Sequence, residues 1–216
     1  MHNVTVYGMA QSVYTQIVLL VLAEKNVAYD LQEINVFSDQ FVNKVGKLNP
    51  FGKIPILIHD GFKLYETSAI TRYIDETFPG VALQPSDNKK RARMHQIIAL
   101  LDAHAYSPII WGLFVQQVSF PEQGKESNIT IMEDALNKTA VCLAALTDLI
   151  GPNTYFASNE LTLADLHAFP ILHHLSLTTQ GSGLMAESIY FRSWTERMRK
   201  NTSASHMFTR SPYNPS

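Results

Sequence analysis

The chain has 216 residues, of which 46% are hydrophobic and 17% are charged, and its formal net charge is −2. This length is enough for one large or two small domains with a buried core, and the near-balance of charge argues against a dedicated nucleic-acid-binding protein. The single cysteine, Cys142, excludes an internal disulfide, a dithiol redox pair and a cysteine-rich zinc site.

The N-terminus lacks a basic region followed by an apolar core, so no signal peptide is predicted. The longest strongly apolar run, residues 17–23, is far shorter than the ~20 residues that a membrane-spanning helix needs. The absence of disulfides fits a reducing compartment. We therefore expect a cytoplasmic protein with no membrane partner.

The first part of the chain alternates between strand-like and helix-like patterns. Residues 4–7 predict a short strand, residues 12–26 a helix, and residues 29–36 a second strand. A helical crossover between two strands implies that they are parallel. Two apolar runs, residues 54–59 and 62–65, then flank Asp60-Gly61, which strongly favours an antiparallel hairpin.

A helix over residues 67–78 closes this segment, so residues 1–80 predict an α/β domain. Residues 79–88 are rich in proline, glycine and polar residues and predict a linker. From there to the end of the chain, residues 89–216, apolar residues recur at helical spacing and predict an all-α domain.

One helix start in the second domain is strongly marked. Thr162 and Asp165 have the spacing of a capping box, and Leu161 and Leu166 stand where a hydrophobic staple would lie. This helix is expected to end near residues 181–183, and a last helix is expected over residues 186–200.

Two sites in the first domain have residues suited to ligand binding. Pro55 begins a run that otherwise favours a strand; if its peptide bond is cis, the backbone of Ile54 can pair with an extended peptide, whereas a trans proline at a strand start is the commoner case. Glu66-Thr67-Ser68 lies where a strand becomes a helix. Helix N–H groups there suit a carboxylate and Glu66 suits an ammonium group, although a plain helix cap explains the same residues.

Together these segments resemble the cytosolic glutathione transferases. The resemblance is carried by Asn49-Pro50-Phe51-Gly52-Lys53-Ile54-Pro55, by Glu66-Thr67-Ser68-Ala69-Ile70 and by the capped start at Thr162, and it spans nearly the whole chain. The opening Tyr7-Gly8-Met9-Ala10-Gln11-Ser12 is most similar to the phi class and its fungal relatives. The resemblance implies a thioredoxin-like N-terminal domain, an all-helical C-terminal domain, and glutathione bound between them.

The resemblance also implies roles for individual residues. Pro55 would be the family's cis proline, Ile54 would pair through its backbone with the cysteinyl part of glutathione, and Glu66 and Thr67 would hold the γ-glutamyl end. Ser12 would donate a hydrogen bond to the glutathione sulfur from the start of the first helix. Tyr7 is the rival to Ser12, because other classes use a tyrosine near the end of the first strand, and Tyr14 is a weaker rival.

The chain departs from the phi pattern at the grip on the glycine carboxylate. Gln40 is followed by Phe41 where phi-class enzymes often have His-Lys, which weakens that grip, and Lys53 stands where they often have Gln. Lys53 or Lys44 could compensate. Position 12 is not cysteine, which argues against the thiol-exchange classes.

In the helical domain the family builds an apolar pocket for the second substrate. Tyr106, Trp111, Phe114 and Val115 are the candidates here, and helix packing is the alternative explanation for at least half of them. Phe51 resembles the aromatic residue that plugs into the neighbouring subunit, so a homodimer is expected. The neighbouring histidines of the second domain lack carboxylate or thiolate partners at metal-ligand spacing, so no metal site is predicted.

The favoured hypothesis is transfer of glutathione to a hydrophobic small-molecule electrophile. A glutathione-dependent isomerase or lyase, in which glutathione is recycled, is the nearest alternative. A non-catalytic binding protein on the same fold is the second, because fold alone does not decide function.

Overall fold

The computed structural model describes residues 3–34 and 45–209 of the chain. The chain divides into two compact units, the first ending at Ala82 and the second beginning at Leu83. Each unit has its own buried core.

The N-terminal unit is a mixed sheet with helices, in the thioredoxin-like arrangement expected from the sequence. Its elements are β1 (Val4–Gly8), α1 (Val13–Glu24), β2 (Asp30–Glu33), β3 (Ile56–His59), β4 (Phe62–Tyr65) and α2 (Thr67–Thr77). The sheet order is β2-β1-β3-β4; β1 runs parallel to β2, while β1 with β3 and β3 with β4 are antiparallel. The predicted crossover and hairpin are therefore both confirmed.

Strand β2 is shorter than predicted. It ends at Glu33, and Ile34 continues without strand pairing although its N–H still donates to the carbonyl of Gly8 at 2.9 Å. The sequence alternation already slips at this point, and residues 35 and 36 lie outside the described ranges. Within the described residues the alternating pattern thus overestimates the strand by two residues, one at each end.

The second unit is helical throughout. Its elements are α3 (Asn88–Leu100), the π-helical segments π1 (Leu101–Ala105) and π2 (Ser107–Ser119), α4 (Phe120–Glu122), α5 (Ile129–Ile150), α6 (Leu163–Ser176), α7 (Thr179–Glu187), α8 (Ile189–Lys200) and α9 (Thr202–Thr209). Most π-helices are single-turn insertions, so a segment as long as π2 is unusual. At Gly112, π2 approaches α5 so closely that a β-carbon would lie 2.3 Å from the β-carbon of Ala135.

The capping box predicted at the start of α6 is present. The Asp165 carboxylate accepts hydrogen bonds from the Thr162 N–H at 2.9 Å and from the Trp194 indole N–H at 2.9 Å. It also accepts from the N–H of Phe156, so this buried side chain links α6, α8 and the segment before α6. The box therefore organises the core of the helical unit as well as the helix end.

The predicted end of this helix is wrong. Helix α6 ends at Ser176, and a separate helix, α7, runs through the glycines at 181 and 183. Thr178 caps α7 by accepting a hydrogen bond from the Gly181 N–H at 3.1 Å. Gly181 lies so close to Leu175 that a β-carbon would be 2.2 Å from its Cδ1, so this glycine serves close packing rather than a helix stop. The last predicted helix begins three residues later than expected, and α9 follows it.

Within the described ranges, no single helix has the length and apolar character to cross a membrane. Taken together, the segments Asn88–Ala105 and Ser107–Glu122 reach that length and composition, but they are bent by 46°.

Candidate active site

Three segments of the N-terminal unit meet at one end of its sheet. Tyr7 pairs with Ile56 across β1 and β3, and Ile56 pairs with Tyr65 across β3 and β4. Each of these residues lies at or next to an end of its strand. The turn before α1, the Ile54–Pro55 peptide and the start of α2 therefore all adjoin the same end of the strands.

Ser12 is the N-cap of α1. Its N–H donates to the Met9 carbonyl at 2.9 Å, and its hydroxyl accepts a hydrogen bond from the Thr15 N–H at 3.5 Å. That second distance is longer than the ~2.7–3.2 Å of an ordinary N–H···O bond, so the cap uses the hydroxyl only weakly. The half-buried Ser12 hydroxyl can thus donate to an anion beside the positive end of α1.

The turn that presents Ser12 is held by residues that the sequence patterns did not mark as functional. The Gln16 side-chain N–H donates to the Ala10 carbonyl at 3.2 Å, which ties the first turn of α1 to the preceding loop. Gly8 packs directly against Thr15, where a β-carbon would lie 2.6 Å from the side-chain oxygen. A glutamine four residues after a candidate serine was the available sequence clue, because residues at i and i+4 share a helix face.

The rival tyrosines occupy different positions. Tyr7 packs against the buried cluster formed by Ile34, Val45 and Ile56. Tyr14 is half-buried on α1. All three candidates are half-buried, and the weakly engaged hydroxyl of Ser12 at the start of α1 is the observation that favours Ser12 as the thiol-binding residue.

The Ile54–Pro55 peptide bond is cis, and Pro55 is buried. The turn before it is shaped by the buried Asn49, whose side-chain N–H donates to the Lys53 carbonyl at 2.9 Å and whose side-chain oxygen accepts from the Phe51 N–H at 3.0 Å. The registered pairs of β3 begin at Ile56, so the backbone of Ile54 precedes the sheet ladder. This places it where an added extended peptide can pair.

Helix α2 begins without a side-chain cap. Its N-cap residue, Glu66, has φ of 73° and ψ of 115° and is exposed, while Thr67 is buried. A positive φ is unfavourable for a residue with a side chain and is concentrated at functional sites in proteins. The uncapped helix start offers N–H groups to a carboxylate, and the Glu66 carboxylate beside it can receive an ammonium group. The pair suits the free α-amino acid end of a peptide.

Lys53 and Gln40 are the remaining candidates for peptide binding, and Phe51 is the candidate for the dimer contact. Lys53 is exposed. Gln40, with Phe41 and Lys44, lies outside the described residues. Phe51 is 67% exposed, with its ring edge-on to Tyr65 at 6.2 Å between centroids.

The four apolar-pocket candidates on and beside π2 differ in environment. Phe114 is buried and packs edge-on against His174 at 4.6 Å, which is the helix-packing alternative. Trp111 is 56% exposed and Val115 is half-buried. Burial raises the pKa of the Tyr106 hydroxyl, and a hydrogen bond from the Trp111 side chain opposes that rise. The structure thus brings Tyr106 and Trp111 together and places Phe114 in the core.

No group of three or more metal-ligating side chains occurs within residues 3–34 and 45–209. Cys142 is buried, and its thiol donates to the His104 carbonyl at 3.0 Å. Burial raises the pKa of this thiol, which disfavours the reactive thiolate.

Comparison with known proteins identifies both units. Residues 6–82 match the glutathione S-transferase N-terminal domain family, and residues 104–200 match the glutathione S-transferase C-terminal domain family. A glutathione S-transferase F13 of Arabidopsis thaliana is 32% identical over 88% of this chain and 88% of its own. A stringent starvation protein A homolog of Haemophilus ducreyi is 29% identical over 86% of this chain and 82% of its own.

A solved structure of glutathione S-transferase III in its apo form superposes with a TM-score of 0.86 at 25% identity, covering 99% of both chains. The plant relatives belong to the phi class, as the sequence resemblance indicated. The two family matches, the fold and these relatives lead to one conclusion: the chain belongs to the glutathione S-transferase family.

Proposed function

We propose that this chain is a glutathione S-transferase. It binds glutathione at the end of the N-terminal sheet where the Ser12 turn, the Ile54–Pro55 peptide and the start of α2 meet, and it adds the glutathione thiolate to a hydrophobic small-molecule electrophile. The observation that carries the proposal is the register Tyr7–Ile56–Tyr65, which gathers the Ser12 turn, the Ile54–Pro55 peptide and the Glu66 helix start. The Ser12 turn is offered to the thiol, the Ile54 backbone to the cysteinyl residue, and the Glu66 helix start to the γ-glutamyl end.

The backbone of glutathione is the part that an added strand would hold. The backbone of Ile54 pairs with the cysteinyl residue, and the start of α2 receives the γ-glutamyl carboxylate through its N–H groups. Glu66 accepts hydrogen bonds from the γ-glutamyl ammonium group, and Thr67 beside it also holds the γ-glutamyl end. The exposed Lys53 is the described residue offered to the glycine carboxylate.

The reactive part is the thiol. A free thiol has a pKa of ~8.5, and the thiolate is the nucleophile. A hydrogen bond from the Ser12 hydroxyl and the positive end of α1 both stabilise the anion, and each pKa unit of such stabilisation corresponds to ~1.36 kcal/mol. The thiol proton leaves to solvent, the sulfur forms a bond to the electrophilic carbon, and the electron pair of the broken bond leaves with its group. Ser12 need not act as a base.

The proposal includes a homodimer in the cytoplasm. The exposed Phe51 ring supports the dimer, since a large exposed aromatic side chain suits insertion into a partner. The single cysteine supports the reducing compartment.

The decisive experiment is a pH titration of the thiolate absorbance of bound glutathione in the wild type and Ser12→Ala. Ser188→Ala is a matched control, because Ser188 also caps a helix, α8, with a comparably long bond of 3.4 Å to the Phe191 N–H. Because both capping bonds are long, both variants should lose a comparable cap contribution at the low end of the usual range of about 0.5–2 kcal/mol. The Ser12 variant alone should raise the thiol pKa, by about a unit or more.

A bound thiol that ionises as in free glutathione, or a Ser12→Ala protein with an unchanged thiol pKa, would overturn the assignment to Ser12. One relative, the stringent starvation protein A homolog, is not named as a transferase, and fold alone does not decide function, so a non-catalytic binding protein on the same fold is the second candidate. Product analysis separates the remaining cases, because conjugation consumes glutathione whereas an isomerase or lyase regenerates it.

A further inference from the structure

A second cluster of reactive side chains lies at the turn end of the β3–β4 hairpin, opposite the Ile56–Tyr65 pair beside the proposed glutathione site. His59 ends β3 and pairs with Phe62 across the Asp60-Gly61 turn. The His59 Nδ1 lies 2.9 Å from the Tyr73 hydroxyl, and its Nε2 lies 3.4 Å from the Asp60 Oδ2. One imidazole thus stands between a phenol and a carboxylate.

The carboxylate of this cluster is held in place by the backbone. Asp60 has a φ of 49°, as the tight turn requires, and its Oδ1 accepts a hydrogen bond from the Asn3 N–H at 3.0 Å. The Asp60 N–H in turn donates to the Asn3 carbonyl at 3.1 Å. These two hydrogen bonds with Asn3, the residue before β1, therefore hold the Asp60 backbone and carboxylate in place beside His59.

The imidazole is also constrained. The His59 side chain is 8% exposed, and its ring packs at 4.9 Å from the ring of Phe78. A carboxylate facing Nε2 favours the tautomer with the proton on that nitrogen. Nδ1 then accepts the hydrogen bond that the Tyr73 hydroxyl donates.

Nucleophile, base and orienting carboxylate in this order are the arrangement that activates hydroxyl nucleophiles. Phe62 adds an apolar surface, since its side chain is 51% exposed and its ring lies 5.3 Å from that of Tyr73. We propose that Tyr73 is a modification site that takes up an activated acyl or sulfonyl group from an aromatic electrophile, with His59 as its base.

In this step the Tyr73 oxygen forms a bond to the acyl carbon or the sulfonyl sulfur. The bond from that atom to its leaving group breaks, and the leaving group departs with the electron pair. The phenolic proton passes to the His59 Nδ1, and the imidazolium that forms faces the Asp60 carboxylate.

This site is independent of the proposed glutathione chemistry. The glutathione segments leave the sheet beside the Ile56–Tyr65 pair, whereas the Tyr73 cluster surrounds the His59–Phe62 pair at the other end of the same hairpin. Saturating glutathione should therefore leave modification of Tyr73 unchanged.

The test is modification of the full chain by p-toluenesulfonyl fluoride, followed by intact mass and tryptic mapping. Tyr73 follows Arg72 and falls in the peptide 73–89, while the 40%-exposed Tyr29 falls in the peptide 26–44 and serves as the internal control. We expect Tyr73 to react at least about tenfold faster than Tyr29, since general-base assistance contributes ~10²–10⁴-fold in enzymes. His59→Gln should remove most of that difference, whereas His104→Gln, on an exposed histidine of the helical unit, should not.

Equal rates at Tyr73 and Tyr29, or an undiminished rate in a folded His59→Gln protein, would overturn the proposal. Thermal unfolding establishes that each variant is folded. If the buried His59 does not tolerate substitution, Asp60→Asn provides the same test on a 57%-exposed carboxylate, and an unchanged Tyr73 rate in that variant would equally overturn it.

Discussion

Gly8 and Thr15 are in such close contact that the last residue of β1 can carry no side chain. A β-carbon at position 8 would lie 2.6 Å from both the Oγ1 and the Cγ2 of Thr15. Thr15 stands on the first turn of α1 and is fully buried, so it cannot move aside into solvent. The contact therefore sets how close the start of α1, with Ser12, lies to the sheet.

We expect Gly8→Ala to move the start of α1 away from β1. Forcing extra volume into a packed site costs about 1–3 kcal/mol, so the free energy of unfolding should fall by that amount. The displaced Ser12 should also stabilise the bound thiolate less well, and the thiol pKa of bound glutathione should rise. Denaturant unfolding and thiolate titration measure the two effects.

Gly46→Ala is the control for this variant, because a β-carbon there meets no atom within 4 Å. Equal losses of stability in the two variants would mean that the Gly8 contact has no special cost.

Gln16 is expected to position Ser12 through the Ala10 carbonyl. Its side-chain oxygen is buried without a hydrogen-bond partner in residues 3–34 and 45–209, so the bond donated to Ala10 is the tie that the structure gives this side chain. Gln16→Leu should cost about 1 kcal/mol of stability, the usual net value of one hydrogen bond. It should also raise the thiol pKa of bound glutathione while Ser12 itself is intact.

Gln32→Leu is the comparison for Gln16→Leu, since Gln32 also makes one side-chain hydrogen bond, to the exposed Asp30. A Gln16 variant that loses stability but keeps the thiol pKa of the wild type would limit Gln16 to a structural role. Restoring a donor with Gln16→Arg should bring the pKa back toward its starting value.

Lys25 and Asp75 form a buried ion pair that joins the ends of α1 and α2. The Lys25 Nζ lies 3.1 Å from the Asp75 Oδ1 and donates to the carbonyls of Asp75 and Val81, and the two side chains are 2% and 4% exposed. Removing one partner of a buried pair leaves an uncompensated charge, so Lys25→Met should cost about 3–5 kcal/mol.

The double variant Lys25→Met with Asp75→Leu should recover much of that loss, because no buried charge is left unpaired. The exposed Arg72–Glu76 pair on α2 is the control, and Arg72→Met should change stability by less than about 1 kcal/mol. If the double variant is no more stable than Lys25→Met, the stability lost in Lys25→Met comes from the hydrogen bonds to the carbonyls and not from the unpaired charge.

Local sequence chemistry predicted the elements that rest on local rules. Asp60-Gly61 marked the hairpin because its turn requires residues that tolerate positive φ, and both residues have it. Thr162 and Asp165 marked the start of α6 because a capping box is complete within four residues. The family resemblance added what local chemistry left open, including the cis Ile54–Pro55 bond.

Features that depend on contacts between distant residues could not be predicted. Gly181 resembles a helix stop in the sequence, whereas the structure places it in the first turn of α7, capped by Thr178 and so close to Leu175 that a side chain would not fit. The Tyr73–His59 contact joins residues on a helix and a strand, and nothing in either segment alone indicates it. The π-helical winding of residues 101–105 and 107–119 likewise follows an apolar stripe that is compatible with an ordinary α-helix.

The buried His167 of α6 should make the protein sensitive to acid. Burial, and to a lesser degree the nearby His95, lowers the pKa of His167 to about 3 from a usual value of 6.5. Below pH 6.5 His167 is therefore protonated in the unfolded chain but stays neutral in the folded chain, and the free energy of unfolding falls as the pH is lowered toward 3. At pH 5 this loss is about 2 kcal/mol relative to pH 7, from ~1.36 kcal/mol per pH unit.

Urea unfolding at pH 7 and pH 5 measures this loss of stability. The His167→Gln variant should lose less stability between the two pH values than the wild type or His104→Gln. An identical pH dependence in the wild type and His167→Gln would assign the acid sensitivity to other groups.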